Sequence, residues 1–272
     1  MSDILVLLVF FSFTVFLVAR RGGKYAAVLG WAGIVLNLWS DMPAYLQENN
    51  FLYPALALAS LPFLAITAGR LLREDPVVLQ LSRTAAIATI IFVPSALIPV
   101  VRDALVSLVT GAAFSLITAF GHHPLMLAWD IMAENNFTNQ IIVNCTGILA
   151  IAMLLGAAFG AQGVSRRQAV LSFLLIVPTI AVLNLLRVAV VFIAVSGRWF
   201  QSFPDFWKTG DPNFFWAHNV FAESIAIAVM VLLVYGLFRI NPGLGAFARE
   251  TVRVYHDGAR RTVTAVKGGR AT

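Results

Sequence analysis

The chain has 272 residues, of which 60% are hydrophobic and only 12% charged, and a net charge of +6. Its mean hydropathy is +0.85. A soluble domain carries about twice that share of charge, so the composition excludes a water-soluble globular protein and points to an all-α integral membrane protein. One cysteine excludes a disulfide framework. The segment 239–272 holds seven Lys/Arg against two acids, nearly all of the positive excess, which excludes a nucleic-acid surface spread over the chain.

A helix crosses the bilayer with about 20 apolar residues. The first candidate is 4–19, ending at Arg20-Arg21. It lacks a basic n-region and a small-residue cleavage site, so it reads as a retained span and not a signal peptide. The next spans are 25–40, beside Lys24, and 51–69, closed by Arg70 and Arg73, with a polar loop at 41–50 between them. A loop at 74–83, turned by Asp75-Pro76, leads to a span at 84–101 interrupted by Pro94 and Pro99. The stretch 104–120 is apolar but carries Ser107, Thr110, Gly111, Ser115 and Thr118. Two short alternating stretches in 121–140 suit a small extracellular hairpin, with an Asn136-Phe137-Thr138 sequon. Spans follow at 141–161, 169–195 and 218–238, with a polar, aromatic loop at 196–217. The division is a polytopic domain over 1–238 and a basic, partly disordered tail over 239–272.

The element that decides the topology is 104–120. If it lies in the outer interface, about seven helices cross, and fifteen Lys/Arg fall inside against three outside, Arg102, Arg198 and Lys208. If it spans, there are eight crossings and the count becomes eight inside against ten outside. The positive-inside rule favours seven spans plus an outer interfacial helix, with the N-terminus outside and the tail cytoplasmic.

Candidate chemistry centres on Cys145, the sole thiol. The run Ile141-Ile142-Val143 reads as a short strand entering a helix. Asn144 suits the N-cap, which puts Cys145 in the first turn, where free N–H groups and the helix dipole favour a thiolate. The competing reading is a small apolar residue at a helix contact. Arg187 lies inside an apolar run, and a charge there marks a functional site by default. Its alternative is to snorkel to headgroups. His218 opens the last span and could merely cap it. Cys145 stands 21 residues before Arg166, Arg187 20 after Arg167, and His218 21 before Arg239. At 1.5 Å per residue each interval is about 30 Å, one bilayer crossing. Three helices therefore bring Cys, Arg and His to one depth on the outer side. A thiolate can attack a carbonyl, a histidine can shuttle the proton, and a guanidinium can stabilise the oxyanion. Asn184, a turn before Arg187, reads as its orienter, and Glu223 as a second buried ion that partners Arg187 or orients a donor. A zinc site built from His122, His123, Cys145 and His218 lacks any paired-ligand spacing. No soluble cofactor is implied.

At these residues the chain resembles the exosortase/archaeosortase family, most closely its archaeosortase A branch. The resemblance rests on Asn144-Cys145-Thr146-Gly147-Ile148, on Asn184-Leu185-Leu186-Arg187 and on His218-Asn219, and it covers roughly 84–238. It implies a membrane cysteine transpeptidase, sortase-like in chemistry and not in fold. Cys145 would be the nucleophile, Arg187 the electrostatic stabiliser and His218 the acid/base, though some members carry Arg at that third position. The substrates it implies are secreted proteins ending in a PGF-type motif, a transmembrane helix and a basic cluster. Cleavage would be coupled to attachment of a membrane phospholipid at the new C-terminus. Two other classes compete. A transporter wants polar groups near the midplane and mirrored halves, and neither is evident. A non-catalytic scaffold would use the basic tail on anionic lipid or on a partner.

Overall fold

A computed structural model describes residues 3–19, 22–47, 52–204 and 211–268. Arg20, Arg21, Lys208 and Arg270, which entered the charge count, lie outside the described residues. The helices are α1 (Asp3–Val18), α2 (Gly23–Ser40), α3 (Met42–Gln47), α4 (Leu52–Leu72), α5 (Pro76–Leu97) and α6 (Pro99–Ala119), then α7 (Ile148–Gly160), α8 (Arg166–Ser196), α9 (Pro212–Phe214), α10 (Glu223–Ile240) and α11 (Pro242–Gly268). Strands β1 (Leu125–Ala128), β2 (Ile131–Glu134) and β3 (Phe137–Gln140) stand between α6 and α7. Among the described residues, five stretches are long and apolar enough to cross a membrane: Pro54–Leu72, Pro76–Leu97, Pro99–Ala119, Arg166–Ser196 and Pro212–Ile240. The chain is an all-α membrane protein with one small sheet.

Several boundaries differ from the sequence reading, each for a local reason. The expected loop at 74–83 is mostly helix. Asp75 accepts from the N–H of Val77 at 3.0 Å and of Val78 at 3.4 Å, and Pro76 follows it, so the pair starts α5. Pro99 likewise begins α6 instead of kinking a span, and α6 is a single 21-residue helix. The loop at 41–50 contains α3. The hairpin is a three-stranded antiparallel sheet, order β1-β2-β3. Asn135 and Asn136, with φ of 51° and 65°, make the two-residue turn that pairs Glu134 with Phe137. The tail is helical through most of its length, as α11.

Two compact units share the long helices. The first comprises Met1–Val93, Leu155–Ala169 and Asn241–Thr272. Its α1 and α2 approach closely through glycine: a Cβ on Gly30 would meet the Phe13 ring at 2.9 Å, and one on Gly33 would meet Val9 at 2.7 Å. Phe13 is fully buried. It starts an aromatic ladder that runs through Trp31 (5.7 Å) and Phe63 (5.2 Å) to Tyr255 (4.9 Å). Such ring contacts contribute about 0.5–1.5 kcal/mol each beyond area burial. The second unit comprises Pro94–Leu154 and Val170–Ile240. Its core joins Val106, Ala113 and Ile117 of α6, Met132 of β2, Ile141, and Val188, Ala189, Phe192 and Ile193 of α8. This unit carries every residue of the candidate site.

Candidate active site

The cysteine does not sit in an α-helix. Val143–Thr146 form a 3₁₀ turn that ends at Gly147, φ 77°, and α7 starts only at Ile148. Asn144 is therefore not an N-cap. The hydroxyl of Thr146 accepts from the Ile148 N–H at 3.4 Å and donates to the Val143 carbonyl at 2.6 Å. The helix-dipole argument for Cys145 falls with this correction, because the thiol belongs to the turn before the helix. Gly147 is required twice over. Its left-handed φ disfavours a side chain, and a Cβ there would lie 3.2 Å from Ile180 and 3.3 Å from Asn184.

That close approach lets α8 hold the cysteine backbone. Asn184 Nδ2 donates to the Cys145 carbonyl at 2.6 Å. Asn184 thus orients the cysteine turn, not Arg187 as the sequence suggested. Arg187, three residues on, is on the same face of α8. The thiol is half-buried against the core of the second unit.

Beside this turn lies an apolar cavity of about 640 Å³. Asn144, Gly147, Asn184 and Arg187 line it on one side; Ala217, Phe221 and Ala222 line it on another. Cys145 and His218 are not among its lining residues, although their chain neighbours are. Arg187 is half-buried and, among the described residues, makes no hydrogen bond or ion pair. Glu223 is exposed, so it is neither a buried ion nor the partner of Arg187.

His218 stands in a π-helix, Phe215–Ala222, that opens α10. Such widened turns are rare and recur at functional sites. Its ring stacks on Phe214 at 5.0 Å, with 8° between planes. Its Nδ1 is 2.7 Å from Asn219 Oδ1. The amide oxygen only accepts, so Nδ1 carries a proton, which in the neutral ring leaves the lone pair on Nε2. Asn219 is itself exposed.

No protein-family model, curated protein or solved structure matches the chain.

One polar cluster escaped the sequence reading. Glu134, with its side chain 12% exposed, accepts from the His123 N–H at 2.9 Å and from Ser196 Oγ at 2.9 Å, and pairs with His122 Nδ1 at 3.0 Å. The Asn135 amide adds a bond to the Ser196 carbonyl at 3.4 Å. The only cue was a lone acid before an Asn-Asn turn. The cluster ties the sheet to the end of α8 and occupies His122, and no three His, Cys, Asp or Glu among the described residues gather as a metal site. Burial pushes the Glu134 carboxyl up, but the three hydrogen bonds outweigh it, and the group lies below the ordinary carboxylate range. A depressed carboxylate stabilises the fold above its unfolded pKa, and that stability is lost as pH falls through the folded value. We expect Glu134→Gln to cost about 1.5–3 kcal/mol at neutral pH. The gap in Tm between the two proteins should close below about pH 4. A pH-independent gap would show that charge plays no part.

Proposed function

We propose that the chain is a membrane-embedded cysteine transpeptidase acting on substrate proteins that carry a C-terminal PGF-type motif, a transmembrane helix and a basic cluster. The observation that carries this reading is the Asn184 bond to the Cys145 carbonyl. It fixes the sole thiol's backbone to the helix that carries, at an apolar cavity, an arginine with no partner among the described residues. In this reaction the Cys145 thiolate adds to the scissile carbonyl, and Arg187 stabilises the oxyanion. The C–N bond breaks, and the leaving amine takes the proton that His218 Nε2 received from the thiol. The resulting thioester is attacked by a lipid amine or hydroxyl, which gives its proton back through His218 to the departing sulfur. Apolar walls disfavour water as the competing nucleophile. The acceptor phospholipid arrives laterally, and the reaction is placed on the extracellular side, with the tail in the cytoplasm.

The direct test is the intact mass of a membrane-anchored substrate carrying the motif, with and without this protein. The expected result is loss of the C-terminal segment and gain of one lipid. An unchanged mass with abundant protein in the membrane overturns the reading. The orientation is checked separately: in a cysteine-free variant, a thiol placed at Asp130 should react with an impermeant reagent, and one at Arg166 should not.

Asn184→Leu keeps the volume and removes the bond to the turn. The expected cost in stability is about 1 kcal/mol. The cost in processing is larger, at least roughly tenfold, because small misplacements of a nucleophile are expensive in rate. Equal, modest losses in both would make Asn184 structural only.

A further inference from the structure

The cavity beside the cysteine turn is far longer than a scissile carbonyl needs. Helices α8 and α10 meet at two places. At one, Val191, Ala194 and Val195 of α8 pack against Ala217 and Ala222, in the π-helix that opens α10. At the other, a Cβ on Gly236 would lie 3.0 Å from Leu175. Sixteen residues of α8 separate Leu175 from Val191, about 24 Å. Between these contacts the helices leave the cavity, and α7 closes its third side with Leu149 and Met153. Met153 is 52% exposed and Ile225 of α10 is 62% exposed, and both line the cavity. It is therefore open sideways, between α7 and α10.

The lining is divided by chemistry. From Arg187 toward the Leu175–Gly236 contact the walls are Leu183, Ile180, Met230 and Leu233, with Met153 opposite. Arg187 is the single charged residue of the lining, and it has no partner among the described residues. A charge removed from water stays favourable only if an opposite charge comes to it. Its depth follows from α8 itself. Arg187 stands 20 residues beyond Arg167, about 30 Å, the thickness of the hydrocarbon layer. With the polar start of α8 at one surface, the guanidinium is at the level of the phosphates of the other, and the arm below it lies among acyl chains.

The room available selects the occupant. A group the size of a methylene takes about 30 Å³, as a water does, so 640 Å³ holds about twenty of them. That is one acyl chain. A helix 10–12 Å across displaces roughly 2,000 Å³ over the same 24 Å. We propose that the cavity holds one phospholipid of the surrounding membrane, with an acyl chain between α8 and α10 and its phosphate on Arg187. The guanidinium has five N–H donors, so a bound phosphate leaves donors for an oxyanion. The use of this lipid as the acceptor rests on the transpeptidase reading; its binding does not.

The test uses the full chain in detergent micelles, with ligands counted by native mass spectrometry. The probes are phosphatidylglycerol, diacylglycerol with the same chains, and glycerol phosphate. Wild type should retain one phosphatidylglycerol, hold diacylglycerol more weakly by roughly tenfold or more, the contribution of a hydrogen-bonded charge, and retain no glycerol phosphate. Arg187→Gln should abolish the difference between the two lipids. Ala150→Phe and Val229→Trp place new rings in the cavity from opposite walls, and each should weaken phosphatidylglycerol by at least roughly tenfold. Val231→Trp, on the outside of α10, should not. Retention needs no substrate protein, so a chain that prefers phosphatidylglycerol yet processes nothing fails the transpeptidase reading and supports this one. Equal retention of the two lipids by wild type, or undiminished retention in both filled variants, overturns the proposal. Glycerol phosphate held as firmly as phosphatidylglycerol would mark a site for a free anion, and would equally overturn it.

Discussion

Cys145→Ala should accumulate in the membrane at the wild-type level and leave its substrate uncleaved. The two halves of that expectation have separate causes. The side chain is half-buried and small, so removing the sulfur takes little from the core around Val106, Ile141 and Phe192. The turn that carries it is held by groups that survive the change: the Asn184 bond to the carbonyl, the Thr146 hydroxyl and the left-handed Gly147. The loss of function is total because no second thiol exists in the chain. A hydroxyl is no substitute without a site built to ionise it, so Cys145→Ser should be equally inactive. Thermal melting and substrate mass, measured on the same preparations, separate the two halves. Normal processing by Cys145→Ala would end the cysteine mechanism outright.

Arg187 should give the opposite of an ordinary core mutation. A charge at the centre of a span costs about 2.5–3.5 kcal/mol on insertion scales and less toward its end, where Arg187 stands, and no hydrogen bond or ion pair among the described residues offsets that cost. Arg187→Ala should therefore melt at or above the wild-type temperature while processing falls by about 10²–10³, the usual loss for one oxyanion donor. Arg187→Lys keeps the charge but replaces a planar fork with a strongly hydrated point charge. It should be slower than wild type by roughly tenfold, an intermediate loss because charge remains. A protein that is stabilised and inactivated by one substitution marks a residue kept for function. If Arg187→Ala instead melts several degrees lower, or if Arg187→Lys processes normally, the arginine anchors the helix and the thiol acts without it.

How much of this could be read beforehand differs from element to element. The long apolar runs and the basic tail were legible because hydropathy and charge are local properties. The depth arithmetic put Cys145, Arg187 and His218 at one level; the structure ties the cysteine turn to the part of α8 that carries Asn184 and Arg187. The local geometry was not legible. Asn144 had the right identity for an N-cap, but Gly147 places a left-handed residue four positions after Val143, and that stops one helix and starts another. Asn184 spoke for Arg187 by spacing along one helix; its actual partner is 39 residues away, a distance that no periodicity reports. Glu223 had the pattern of a buried ion, yet the face it occupies is open. The π-helix around His218 left no sequence mark, because a bulge of one residue disturbs apolar spacing too little to notice.

The shortness of α7 has a consequence for what the thiol can meet. Thirteen residues cover about 20 Å, and the hydrocarbon layer is about 30 Å thick. Both ends of such a helix cannot reach headgroups. Its C-terminal end leads to Gln162, Gly163, Ser165 and Arg166, a polar sequence that takes the water-facing level. With that sequence at water level, the other end, with the cysteine turn attached, would stop short of the opposite surface, deeper than the full crossing counted from Cys145 to Arg166. A peptide reacting there must shed its hydration before it arrives. A freely dissolved peptide has no means of covering that cost, whatever motif it carries, while one drawn along a bilayer-anchored segment is already at the right level. Selection at this site would be made by depth before any side chain is read.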